Sequence, residues 1–300
     1  MSTSLGSVRT VSPAAGARRL LSDYLELTKP KVQLLLLLTT VATMEVAGNP
    51  SALRIALTCL GGYMSAGGAG AINHVFDRDI DIRMARTASR PVPAGRVSPR
   101  AGLIYGCGLQ AGSFLLLSTC VNLLAAVLAL AGFVGYVGVY TMWLKRRTSQ
   151  NIVIGGAAGA VPPLVGWAAT RGSLSWTAVY LFAIVFYWTP PHFWALSLLM
   201  KEEYAKVQVP MMPVVRGEHE TRRQILLYTL LLYAVTQLPF CAGGFGGIYL
   251  VCSMVLGLGF IAGAFWLYRR ADRHAALRLY LFSLLYLALL FGAMVADAKL

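Results

Sequence analysis

Charge is scarce in this sequence. Only 13% of its 300 residues are Asp, Glu, Lys or Arg, against 57% hydrophobic, and mean hydropathy is +0.64. A soluble fold of this length cannot cover that much apolar surface. An ordinary cytosolic enzyme is therefore excluded, and so is a disordered chain. Acids are scarcer still, 12 against 26 Lys and Arg, and the first 22 residues hold none. Cysteine is rare and never in CxxC spacing: Cys59, Cys107, Cys120, Cys241 and Cys252 all fall in apolar stretches. That excludes a disulfide scaffold and a thiolate metal centre, and buried thiols are expected.

What fills the chain is a series of apolar runs. Crossing a bilayer takes about 20 residues. Nine runs qualify, roughly 32–48, 51–75, 100–119, 122–143, 151–169, 174–198, 223–243, 246–268 and 277–296. The expectation is an all-α integral membrane protein with nine transmembrane helices. Closely spaced small residues, Gly67 with Gly70 and Gly155 with Gly159, read as tight helix–helix packing.

The basic residues are not spread evenly. Of the 26, 23 lie in the N-terminal tail or in the loops after the second, fourth, sixth and eighth runs; Arg54, Arg171 and Lys299 make up the rest. The positive-inside rule then places the N-terminus in the cytoplasm and the C-terminus in the periplasm, with an odd number of spans. Clusters between apolar runs fit juxtamembrane loops, so no nucleic acid is expected as a partner. Residues 1–22 read as a short basic cytoplasmic tail. Arg9, Arg18 and Arg19 among Ser and Ala give them some transit-peptide character, and the apolar core of a secretory signal is missing. Residues 23–300 form a single transmembrane domain. A bacterial inner membrane is the expected location, a mitochondrial inner membrane the alternative.

Ten of the 12 acids fall on the basic face, concentrated in Asn73-His-Val-Phe-Asp77-Arg-Asp79-Ile-Asp81 and in Lys201-Glu202-Glu203-Tyr204. Positions 73, 77 and 81 have i, i+4, i+8 spacing. On a helix continued from the second span they share one face over roughly 12 Å. Like charges one turn apart repel unless a cation sits between them. A set of oxygen ligands alone favours Mg²⁺ over zinc or copper, and Mg²⁺ completes its shell with substrate phosphates. Arg83, Arg86 and Arg90 follow as further phosphate-binding candidates. The implied ligand is a diphosphate ester with an apolar tail, because the site opens at the bilayer. The plainer alternative is a solvated helix end with Arg–Asp pairs.

The segment 73–81, followed by Arg86-Thr-Ala-Ser-Arg90-Pro91, resembles the first aspartate-rich motif of the intramembrane aromatic prenyltransferases. Further blocks narrow the resemblance: Leu27-Thr-Lys29-Pro30-Lys31-Val32, Tyr140 to Gly156 around Lys145-Arg146-Arg147, Trp188-Thr-Pro190-Pro191-His192-Phe193-Trp194, and Val209-Pro210-Met211-Met212-Pro213. Together, in order over about residues 22–296, they resemble the protohaem IX farnesyltransferase (haem O synthase) family. That resemblance implies nine helices bundled around a central cavity opening to the cytoplasmic side. It implies transfer of the farnesyl group of farnesyl diphosphate to a vinyl group of haem B, with water addition, giving haem O for terminal oxidases. Asn73, Asp77 and Asp81 would be catalytic and hold Mg²⁺, while Arg86, Arg90 and Lys145 would bind the diphosphate. Haem A synthase or oxidase assembly factors are the implied partners besides the bilayer.

The sequence departs from the wider superfamily in two places. The second aspartate-rich motif is missing, and Glu202 and Glu203 stand in that region, which argues against a second Mg²⁺. The Tyr140–Lys145 spacing is one residue longer than in the quinone branch. His192 is open between contact with haem and a locally hydrogen-bonded helix-end histidine. His74 lies beside the acids and is read as supporting them. Two rival functions remain: a prenyltransferase for a quinone or phenolic acceptor, which should keep the second Asp-rich motif, and a secondary transporter, which should carry polar groups near the midplane.

Overall fold

The computed structural model describes residues 13–300. Residues 1–12 of the expected basic tail lie outside the described residues. From Pro13 the chain is already helical, in α1 (Pro13–Leu27). The remaining helices are α2 (Pro30–Ala47), α3 (Ala52–Phe76), α4 (Arg78–Asp81), α5 (Pro99–Cys120), α6 (Leu123–Val134), α7 (Asn151–Gly159), α8 (Val161–Arg171), α9 (Trp176–Leu199), α10 (Lys201–Lys206), α11 (Met212–Val215), α12 (Gly217–Cys241), α13 (Gly247–Arg270) and α14 (Arg273–Lys299). A π-helix, Gly135–Leu144, continues α6. No strand occurs among the described residues.

Local sequence sets the helix ends. Ser51, Ser98, Asn122, Ser175 and Asp272 each accept a backbone N–H three residues on, as N-caps do. Pro30 and Pro99 occupy first turns, where a missing N–H costs nothing. Gly172, at φ 71°, ends α8 in the left-handed conformation.

Eight segments are long and apolar enough to cross a membrane: α2, α3, α5, α6 with the π-helix, α7 with α8, α12, α13 and α14. The expected sixth span, α9, matches them in length at 24 residues. Its Thr, Pro, His and Trp residues keep it out of that set, so composition supports eight of the nine expected spans. The outer surface is apolar, with Ile104 and Val255 largely exposed, and the interior holds Asn73, His74, Asp77 and Asp81. That is the distribution a bilayer solvent selects. The cysteines correct one expectation. None is buried; Cys107, Cys120 and Cys241 are exposed, on helix faces that no neighbour covers.

Helix α2 packs against α3, α8 and α14. Helix α3 packs most extensively on α5, and α9 packs on α12 and α14. Between α2, α3, α6 and the α7–α8 pair lies a cavity of about 230 Å³ with Lys29 and Tyr136 at one end and apolar walls beyond.

Candidate active site

Helix α3 stops short of where the spacing predicts. Asp77 takes φ −91° and ψ 2°, and α4 restarts the helix after it. The break is shallow, because Asp81 N–H still donates to Asp77 O at 2.8 Å. Asn73, Asp77 and Asp81 are therefore all buried, while Phe76 and Ile82 face outward. The expected shared side survives the kink.

Each of the three polar side chains is met by a cation. Lys29 Nζ donates to Asn73 Oδ1 at 2.6 Å. Lys145 Nζ donates to Asp77 Oδ2, which also accepts Asn73 Nδ2 at 2.7 Å. Arg90 Nη1 donates to Asp81 Oδ2 at 2.7 Å. Thr141 Oγ1 takes a second hydrogen bond from Asn73 Nδ2 at 3.1 Å. Charges buried this deeply persist only when paired and hydrogen-bonded. One acceptor is left over: Asp77 Oδ1 is buried and has no partner.

Lys29 sits in strained backbone. It is left-handed, at φ 54° and ψ 55°, directly before Pro30, where that region is disfavoured. Such strain concentrates at functional sites. Burial, then nearby Arg90 and Lys145, lower its ammonium pKa well below the usual lysine range.

The long Tyr140–Lys145 spacing has a physical reason. Lys145 N–H donates to Tyr140 O at 2.9 Å, a five-residue π turn. The π-helix absorbs the additional residue and still delivers Lys145 to Asp77, in keeping with the placement of such turns at functional sites.

Asp79 points the other way. Arg146 grips it with Nη1 and Nη2 at 2.8 and 2.6 Å, and Nη2 also reaches Phe76 O at 2.8 Å. This fork ties the loop after the π-helix to the α3–α4 joint and holds the Asp79 carboxyl below the usual carboxylate range.

The other expected residues divide. Arg86 is exposed and makes no ion pair among the described residues. Glu202 is exposed too, whereas Glu203 keeps a buried, unpartnered Oε2. His74 is buried with neither ring nitrogen hydrogen-bonded. His192 lies apart from the acids, on α9 against α14. Its ring stacks between Trp188 (4.2 Å) and Tyr280 (4.9 Å), and its Nδ1 lies 2.7 Å from Ser283 Oγ. Ser283 Oγ donates its single proton to Tyr280 O at 2.6 Å. It must therefore accept from His192 Nδ1–H, which leaves the Nε2 lone pair free.

Sequence reasoning gave no role to Lys29 or Thr141. The signal for Lys29 was present: a lysine immediately before a proline, at the head of an apolar span.

The UbiA prenyltransferase family pattern matches residues 34–290. The chain is 55% identical over 282 residues to the "Protoheme IX farnesyltransferase" of Chloroflexus aurantiacus, covering 93% of this chain and 48% of that one. It is 50% identical over 281 residues to the protein of the same name from Gloeobacter violaceus, covering 93% and 92%. The chain thus spans about half the length of the first curated relatives it matches. Among solved structures, a UbiA homolog from Archaeoglobus fulgidus bound to GPP and Mg²⁺ has TM-score 0.67 at 17% identity, covering 91% of this chain and 99% of that one. The fold, the matched span and the level of identity lead to one conclusion: this chain belongs to the UbiA prenyltransferase family.

Proposed function

We propose that this chain transfers the farnesyl group of farnesyl diphosphate to a vinyl group of haem B, with addition of water, and so makes haem O. It would do this in a bacterial inner membrane with its N-terminus in the cytoplasm. The observation that carries the reading is a cluster of two buried carboxylates, an amide and three cations at the polar end of an apolar cavity. The curated relatives named for farnesyl transfer to protohaem supply the two substrates.

The residues fit Mg²⁺. Asp77 Oδ1 is an orphaned buried acceptor, and Asp77 and Asp81 are oxygen ligands of the kind Mg²⁺ takes; Asn73, whose Nδ2 faces Asp77 and whose Oδ1 faces Lys29, would join them by turning its amide. No group of three His, Cys, Asp or Glu side chains suited to a metal occurs among the described residues. A cage made of protein ligands alone is thus not at hand, which suits an ion that keeps few protein ligands and shares diphosphate oxygens. The Archaeoglobus fulgidus homolog carries Mg²⁺ with a prenyl diphosphate. Bound here, Mg²⁺ would neutralise charge on the diphosphate as a Lewis acid.

The chain's own residues supply the rest. Lys29, Lys145 and Arg90 stand where diphosphate oxygens arrive, and exposed Arg86 adds a fourth cation. Together they stabilise negative charge as the allylic C1–O bond breaks. The apolar walls keep water from the resulting farnesyl cation. The haem vinyl carbon then attacks C1, water captures the cation left beside the porphyrin, and a proton is released. His192, held by Trp188, Tyr280 and Ser283, would meet haem with its free Nε2. Neither glutamate is assigned an ion: Glu202 is exposed, and Glu203 has only one buried, unpartnered oxygen.

The direct test mixes detergent-purified protein with haem B, farnesyl diphosphate and Mg²⁺ and weighs the extracted pigment. A product heavier by one farnesyl group and one hydroxyl group is expected. Unaltered haem B would refute the reading.

A further inference from the structure

We infer that Gly62, with Gly159 on the facing wall, sets the length of isoprenoid that the cavity accepts. The inference rests on the proposed farnesyl transfer and goes beyond it by assigning donor specificity to two residues.

Most glycines near the cavity are needed for packing. A Cβ on Gly61 would fall 2.5 Å from Leu117, one on Gly67 3.0 Å from Thr28, and one on Gly68 2.6 Å from Gly106 O. Gly62 and Gly159 differ. Both line the cavity, and a Cβ on either would meet nothing within 4 Å. Packing does not explain the lack of a side chain at these positions. The pairing of Gly159 with Gly155 as packing residues, expected from sequence, holds only for Gly155, which lies against Tyr140.

Depth supports a ruler. Gly70 lies beside the Lys29 stem, at the diphosphate end. Gly62 is eight residues back along α3, about 12 Å at the helical rise. The twelve-carbon backbone of a farnesyl group, at ordinary carbon–carbon bond lengths, extends about 14 Å. The last isoprene unit therefore reaches the level of Gly62, where Thr40 and Val165 also line the cavity. Behind them α2 and α8 close one side of the cavity. A Cβ on Gly166 would fall 2.5 Å from Thr40 O, so α8 and α2 meet there backbone to backbone. A side chain at 62 or 159 would start into the space of the last unit with a Cβ that touches no neighbour.

The test uses the full chain with haem B, Mg²⁺ and equimolar geranyl and farnesyl diphosphates, with haem products separated by mass. Wild type should yield chiefly the farnesyl product. Gly62→Leu and Gly159→Leu should keep wild-type melting temperatures and shift the product ratio toward geranyl by at least about tenfold, the scale at which an apolar pocket discriminates chain length. Wild-type ratios in both folded variants would overturn the inference, as would both variants unfolding. A wild type that transfers neither group would instead overturn the functional reading, and this inference with it.

Discussion

Lys29 reaches from the turn ahead of α2 to Asn73 at the end of α3, donating Nζ to Oδ1 at 2.6 Å. The contact joins residues 44 positions apart and holds an ammonium between the carboxylates and the apolar cavity. In the proposed reaction a cation at that neck would meet the diphosphate where the allylic bond breaks. Lys29→Met should lower kcat about a hundredfold, the usual loss for one preorganised group stabilising transition-state charge. Lys29→Arg should recover part of it. Initial rates at saturating farnesyl diphosphate decide the matter, and full activity in Lys29→Met protein would remove Lys29 from the site.

The Asp77 carboxylate serves two ends, pairing with Lys145 and offering a free oxygen. Asp77→Asn and Asp81→Asn should each abolish haem O formation, as should chelation of Mg²⁺ with EDTA, reversed by adding the ion back. Asp77→Ala should also lower the melting temperature. It leaves the Lys145 ammonium buried without a counter-charge, a loss on the order of 3 kcal/mol. Pigment mass and thermal unfolding separate the two effects. Normal product from Asp77→Asn protein would contradict the assignment.

Much of this arrangement was legible in the sequence. Apolar length is a solvent property, so it survives folding, and eight of the nine expected spans fall where the runs lie. The i, i+4, i+8 spacing brought Asn73, Asp77 and Asp81 to one side although the helix breaks at Asp77, because the break keeps the i+4 hydrogen bond. Other features depend on which helix faces which. Cys107 and Cys241 look like core residues by composition and are exposed, since apolar residues in a bilayer need no protein cover. Lys29 joins the site through a left-handed turn that no periodicity encodes. The π turn before Lys145 is visible only as one residue too many.

Helices α3 and α5 approach through glycine. A Cβ on Gly68 would lie 2.6 Å from Gly106 O, and one on Gly106 would lie 2.8 Å from Gly68 O. Backbone cannot yield as a flexible side chain can, so the helices must part. Gly68→Ala and Gly106→Ala should each cost about 1–3 kcal/mol, the range for overpacking a tight interface. Thermal unfolding in detergent measures it. Gly108→Ala, on the same helix with nothing within 4 Å of its Cβ, should leave the melting temperature unchanged or raise it.

His192 offers the sharpest test of where haem sits. Its ring is fixed on both faces by Trp188 and Tyr280, and its Nδ1 is committed to Ser283. Only Nε2 is left to meet a ligand, and an imidazole lone pair held in one direction is how proteins present an axial ligand to haem iron. Haem-loaded His192→Ala protein should show a shifted Soret band and weaker haem retention. Ser283→Ala should produce a smaller shift in the same direction, because the ring keeps its stacking partners and loses only the hydrogen bond that fixes its tautomer. An unchanged Soret band and affinity in both variants would move haem away from α9 and α14. The acids around Asp77 would then have to meet an acceptor bound elsewhere in the bundle.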